Sequence, residues 1–277
     1  MEWNWLHSIV YGFLSGFSEL LPISPDAHQW LFAKLTGVGQ IHLSHRLFGH
    51  IGVLLALLLV CKPQLDKLRR EKRIAGLPPK RRKRQPDVKS LSEMRFLRMA
   101  LWLLLLSVPI FLLVSRMGER PWLVALLFLV NGIILYVPQF LPGGNKDALS
   151  LSAADGLLTG TAGALGRLPG ISGIGCAMSA LKLRGVDWQY ALQMCLLLAI
   201  PALAIAVGCD VYGIILGSAG ISIGHFFYYL LTVLSAFAGA YIGIVIMRFL
   251  AVKAGFSGFA YYCWGMALFT FFLYLTI

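Results

Sequence analysis

The sequence is short of charge: only 13% of its 277 residues are Asp, Glu, Lys or Arg, while 58% are hydrophobic. A soluble domain of this size could not hide such an apolar excess in one core, so that class is excluded and lipid must cover much of the surface. Cysteine is scarce as well. Cys61, Cys176, Cys195, Cys209 and Cys263 all lie within or beside apolar segments, where sulfur packs as a small hydrophobe, and their spacing matches neither a disulfide framework nor a metal site. The apolar stretch 3–24 lacks the basic flank of a signal peptide, has Glu2 ahead of it and holds Glu19 and Pro22. It is expected to be mature structure.

A helix needs roughly 20 apolar residues to cross about 30 Å of hydrocarbon. Six stretches qualify, near 46–61, 97–115, 121–138, 189–208, 225–250 and 257–277. The expected fold is therefore an all-α integral membrane protein, a single membrane domain over 1–277. The net charge of +12 is concentrated, since residues 62–98 hold 14 basic and 4 acidic side chains. A run such as KRRKR at 80–84 has a nucleic-acid reading, but beside membrane spans it reads as a cytoplasmic loop under the positive-inside rule. Pro78-Pro79 and the charge density suggest a flexible 73–90 segment lying on anionic headgroups. No nucleic-acid partner is expected.

Sliding the chain along itself by 148 positions lays Ile23-Ser24 on Ile171-Ser172, Lys34-Leu35 on Lys182-Leu183, and Gly37-Val38 on Gly185-Val186. Each half then holds a broken hairpin followed by three spans: repeat 1 over 1–138 with a re-entrant hairpin at 3–40, repeat 2 over 151–277 with one at 151–186. Three is odd, so the repeats are inverted. With 62–98 cytoplasmic, both chain ends lie outside; Arg116 and Arg120 are exceptions to the charge bias. Irregular backbone at membrane depth is tolerated only where protein or a water-filled cavity satisfies it. Two broken hairpins facing each other thus imply a polar cavity, and helix N-termini pointing into it favour an anion such as phosphate.

The first hairpin, SGFSELLPISPDAH, places Glu19, Ser24, Asp26 and His28 within ten residues of otherwise apolar sequence. Ionisable groups in such a setting are costly and usually functional. This string resembles the first signature of the bacterial undecaprenyl-pyrophosphate phosphatase family, through Glu19, Leu21-Pro22-Ile23-Ser24 and His28. The second hairpin, RLPGISGIG, is similar to that family's second signature through Pro169, Gly170, Ser172 and Gly175. Length, span order and hairpin placement agree along the whole chain. The sequence departs from the pattern at Ser15, where the family has an earlier glutamate, at Pro25 in place of a second serine, and at Gly173 in place of an arginine.

The resemblance implies a bacterial inner-membrane enzyme that removes the terminal phosphate of the polyprenyl pyrophosphate carrier of cell-wall synthesis, with a divalent cation, Mg²⁺ or Ca²⁺. A second copy of the chain, as a homodimer, is a candidate partner on which the sequence is silent. Glu19 is then a metal ligand or general base, or else a hydrogen-bonded carboxylate at a helix break. His28 is a nucleophile or acid/base, or a polar core histidine, and Ser24 shares both readings. Ser172, Gly170 and Gly175 offer donors to phosphate, though a serine at a helix start is also an ordinary N-cap. Asp26 is a second candidate metal ligand. Arg167, opposite Glu19 in the repeat alignment, either replaces the absent arginine or forms a structural pair with Glu19. The competing class is a transporter or lipid-phosphate binder, since inverted repeats with broken helices also build carriers. His42, His45, Arg46 and His50 read as an interfacial ring around a span rather than a metal site. The aromatic residues at 226–229 and Tyr261, Tyr262 and Trp264 read as interface belts.

Overall fold

Helix boundaries follow from caps written locally in the sequence. In the computed structural model, which describes residues 3–39, 41–117, 120–217, 221–253 and 256–276, α1 (Trp5–Glu19) starts at Asn4, whose side chain accepts from the His7 N–H. Glu2 and the side chain of Arg116 lie outside the described residues. The chain turns at Leu20–Ser24 into α2 (Pro25–Thr36), capped by Ser24, opened by Pro25 at its first turn and closed by Gly37 at φ 67°. The second hairpin repeats the scheme. Ser152 caps α7 (Ala153–Ala164), Ser172 caps α8 (Gly173–Leu183), and Gly185 follows at φ 81°. Ser24 and Ser172, like Gly37 and Gly185, are thus equivalent in structure as well as at the 148-residue offset.

The remaining helices are α3 (Leu43–Gly76), α4 (Val88–Leu104), α5 (Ser107–Met117), α6 (Pro121–Tyr136), α9 (Trp188–Leu216), α10 (Phe226–Lys253) and α11 (Ser257–Thr276). Among the described residues six helical stretches are long and apolar enough to span a bilayer, in the order expected. Among the described residues there is no β-strand, only an isolated bridge between Lys146 and Val186.

Three expectations change. The basic segment 62–98 is mostly helix: α3 has 34 residues, about 50 Å at 1.5 Å per residue, so it runs on past the hydrocarbon. No Gly or Pro interrupts 64–75, and only 77–87 stands between α3 and α4 without α-helix. That connection is pinned rather than loose: Arg84 forks onto the buried Glu71, the Asp87 N–H donates to Glu71 at 2.9 Å, and Arg82 donates to the Ala75 and Leu77 carbonyls at the end of α3. The span near 97–115 is broken at 105–106 into α4 and α5, because Pro109 lacks an N–H and its ring crowds the carbonyl four residues back. Finally, α9 does not stop near 208, where the span was expected to end, but runs on to Leu216, so Asp210 sits inside a helix.

Packing pairs the halves. α1 lies on α10 and α7 on α4, while α3 meets α9 and α6 meets α11. Exchanging four helices of the first half for four of the second (α1↔α7, α3↔α9, α4↔α10, α6↔α11) maps these contacts onto one another. Small residues allow the closest approaches. A Cβ at Gly16 would lie 2.0 Å from the Ala236 carbonyl, and one at Gly160 2.1 Å from the Ala100 carbonyl.

Candidate active site

The two broken turns meet in the core and are stitched by buried hydrogen bonds. The Gly170 N–H donates to Ser24 Oγ at 2.8 Å, and Ser172 Oγ donates to the Leu21 carbonyl at 3.2 Å. Between them stands Asn131 of α6, whose Oδ1 accepts from the Ser172 N–H at 2.9 Å while its Nδ2 donates to the Pro22 carbonyl at 3.2 Å. In a membrane core an unpaired backbone group has no water to turn to, so each turn satisfies the other. Asn131 stood in the sequence as the one carboxamide of the 121–138 apolar run, which holds no charged residue, and that isolation was the available signal.

This stitching occupies the groups expected to cradle phosphate. Gly170 donates to Ser24, Ser172 to Asn131, and the Gly175 N–H to Ser172 Oγ at 3.1 Å. Ser24 is fully buried and serves both as N-cap and as the link between the hairpins.

Glu19 and Arg167 do meet. They face one cavity of about 60 Å³, shared with Pro25, Gly163, Gly166 and Gly173, and Arg167 Nη2 lies 3.5 Å from Glu19 Oε1. That distance makes an ion pair without a close hydrogen bond, and Glu19 Oε2 is buried with no hydrogen-bond partner in the protein. The cavity has room for a few waters. Gly173 is small here for a visible reason. A Cβ on it would come 2.9 Å from the Gly163 carbonyl, and one on Gly166 would come 2.4 Å from the Gly173 Cα. Backbone fills the position where an arginine would begin, and Arg167 supplies a guanidinium to the same cavity from the preceding turn.

His28 lies apart. Its Nδ1 is 2.6 Å from the Ser24 carbonyl, which can only accept, so Nδ1 carries the proton. Nε2 lies 2.6 Å from the Tyr262 hydroxyl, from which it accepts when the ring is neutral, and the two rings are stacked. His28 and Tyr262 line a different cavity, about 450 Å³ and apolar, with Phe17, Leu21, Ile246 and Phe259. Tyr262, read from the sequence as part of an interface belt, is thus the partner of the buried histidine. Asp26, in the first turn of α2, lines neither cavity.

The expected interfacial ring is also redistributed. Arg46 and His50, one turn apart on α3, both turn inward onto Asp210 of α9: Arg46 Nε donates to Oδ1 at 3.1 Å, and His50 Nδ1 is 2.6 Å from Oδ2. His50 and Asp210 are buried, because a carboxylate inside a membrane helix is tolerated only when paired. His45 stacks instead on Trp3, with ring centroids 4.0 Å apart. Among the described residues no group of three or more His, Cys, Asp or Glu is placed to hold a metal ion.

The profile of the family described as "Bacitracin resistance protein BacA" matches residues 8–269. Among curated relatives, an undecaprenyl-diphosphatase of Thermodesulfovibrio yellowstonii is 28% identical over 283 residues, covering 96% of each chain. One from Nocardioides sp. is 29% identical over 216 residues, 76% of this chain and 74% of its own. A third, from Desulfatibacillum aliphaticivorans, is 26% identical over 272 residues, covering 94% and 95%.

Proposed function

Because the chain belongs to the bacitracin resistance protein BacA family, we propose that it is a membrane-embedded undecaprenyl-diphosphatase, hydrolysing the terminal phosphate of a polyprenyl pyrophosphate and so recycling the lipid carrier of cell-wall synthesis. The observation that carries this reading is the Glu19–Arg167 pair on one cavity where the hairpins meet. A guanidinium fork matches phosphoryl oxygens, and donors aimed at developing charge in a site closed to water are worth a few kcal/mol of barrier each. Arg167 is the residue that would grip the phosphate. Drawing Arg167 onto substrate releases Glu19 to take up a proton or hold a cation, and the cavity must widen to admit a pyrophosphate. His28, held by Tyr262 beside the apolar cavity, lies on the side suited to the prenyl chain.

A divalent cation fits this site through substrate. Mg²⁺ is commonly bound by one or two carboxylates together with phosphate oxygens. Glu19, with its unpartnered Oε2, is the carboxylate that would hold it; Asp26 is not on the cavity wall. When bound, the ion would neutralise pyrophosphate charge. The same reading puts the protein in the bacterial inner membrane, with the basic 62–98 segment cytoplasmic against anionic headgroups, both chain ends outside, and the hairpins dipping in from opposite faces as inverted repeats. The exchange of packing partners between the halves supports that arrangement. Assembly as a homodimer completes the reading and is checked by counting copies per lipid disc.

The deciding experiment measures phosphate release from polyprenyl pyrophosphate by the purified chain with divalent cation, against Glu19→Gln. We expect a loss of roughly a thousandfold, in the range of an essential acid, base or ligand. Equal release by both proteins, or tight substrate binding by the wild type without release, would favour the carrier reading instead.

A further inference from the structure

A third cavity, about 440 Å³, opens where the middle of α3, the N-terminal part of α9 and the C-terminal part of α10 meet. Its polar lining comprises Gln64 of α3, Gln189 and Gln193 of α9, and Arg248 of α10. No acidic residue lines it, and among the described residues Arg248 has no carboxylate within salt-bridge distance. The rest of the wall is mainly apolar, including Val60, Leu196 and Leu197.

A neighbouring crevice shows what an ordinary gap between these helices looks like. The one between α4 and α9, about 430 Å³, is lined only by Leu101, Trp102, Leu105, Pro201, Ala204 and Ile205. An acyl chain satisfies such a surface. Gln64 donates to Glu93 at 3.5 Å, and Arg248 and Gln189 are exposed at the mouth of the pocket, so the groups left to meet a bound head are Arg248 and Gln193 at the rim, where a guanidinium favours an anion. The mixture of one cation, neutral donors and an apolar wall suits an amphiphile whose head is a phosphate.

We propose that this pocket is a second lipid-phosphate site, separate from the Glu19–Arg167 cavity, which binds a phosphomonoester head at Arg248 and Gln193 with its chain along Val60, Leu196 and Leu197. The two cavities are divided by α9: Cys195 and Leu198 line the first, Leu196 and Leu197 the second. Product-type phosphomonoester lipid therefore has a place to dwell on the far side of that helix from the pyrophosphate cavity. The inference does not depend on turnover at Glu19.

The test uses the full chain in lipid discs and radiolabelled farnesyl monophosphate as probe, with farnesol and inorganic phosphate as competitors. Arg248→Gln should weaken one class of binding sites at least about tenfold, Gln193→Leu should weaken the same class, and Arg167→Gln should leave it unchanged. Farnesol should compete poorly. Competition by inorganic phosphate at concentrations near those of the farnesyl compound would assign the pocket to free phosphate, and competition only at far higher concentrations assigns it to the lipid. Unchanged binding in both Arg248→Gln and Gln193→Leu, or displacement by farnesol as effective as by farnesyl monophosphate, would overturn the proposal and leave an apolar crevice.

Discussion

The first and second hairpins share a backbone plan and differ in chemistry. At equivalent positions both use a serine N-cap, Ser24 or Ser172, and a left-handed glycine after the second helix, Gly37 or Gly185. Where the first carries Glu19 the second carries Arg167, and where the first has His28 the second has Cys176. The shared positions govern local geometry, which both halves need in order to turn at membrane depth. The unlike positions are free of that duty, so one half has come to hold the acid and the other the base of a single ion pair.

Exchanging the fork for a point charge breaks this comparison most severely. Arg167→Lys keeps the charge but loses the planar donors, and we expect about a hundredfold lower kcat/KM for phosphate release, or about 2.7 kcal/mol of barrier. Undiminished release would reduce Arg167 to a structural counter-ion. Combining it with Glu19→Gln should cost far less than the sum of the separate losses, since the two act as a unit.

Next in size is the seam. Asn131→Leu leaves the Ser172 N–H and the Pro22 carbonyl without their side-chain partner, at about 1–3 kcal/mol for each. The expected readout is a clear fall in thermal unfolding temperature in detergent; an unchanged temperature would mean that the hairpins do not rely on each other.

Packing offers a symmetric trial. Gly16→Ala and Gly160→Ala each push a Cβ into a facing carbonyl, and overpacking of this kind costs about 1–3 kcal/mol. Comparable losses of stability in the two variants are expected, and a loss confined to one would show that the halves do not share their packing. The smallest effect should come from Tyr262→Phe, which removes the hydroxyl from His28 Nε2 for about 1 kcal/mol and leaves phosphate release within a few-fold. Abolished release in that variant would move the reaction to the His28 side.

Several features were legible because they are local. Caps and turn glycines announce themselves through neighbours a few residues away, and membrane spans through unbroken apolar length. The basic segment was misjudged as a loop because its charge density masks good helix formers, and because the buried Glu71 that anchors Arg84 looks in the sequence like any other acid in a charged run. Likewise Glu19 and His28 stand nine positions apart yet line separate cavities, since the turn at 20–24 reverses the chain between them.

The sequence by itself determined the membrane class, the six spans, the two broken hairpins and, through the repeat, the opposition of Glu19 to Arg167. Only the tertiary structure decided that Asn131 joins the turns, that Arg46 and His50 converge on Asp210, that Tyr262 holds His28, and that backbone contact leaves no room for a side chain at Gly173. Each of these is a meeting between distant segments. Cap and span signals act within a turn or two of helix, whereas partners such as His28 and Tyr262 are brought together only by how the helices pack.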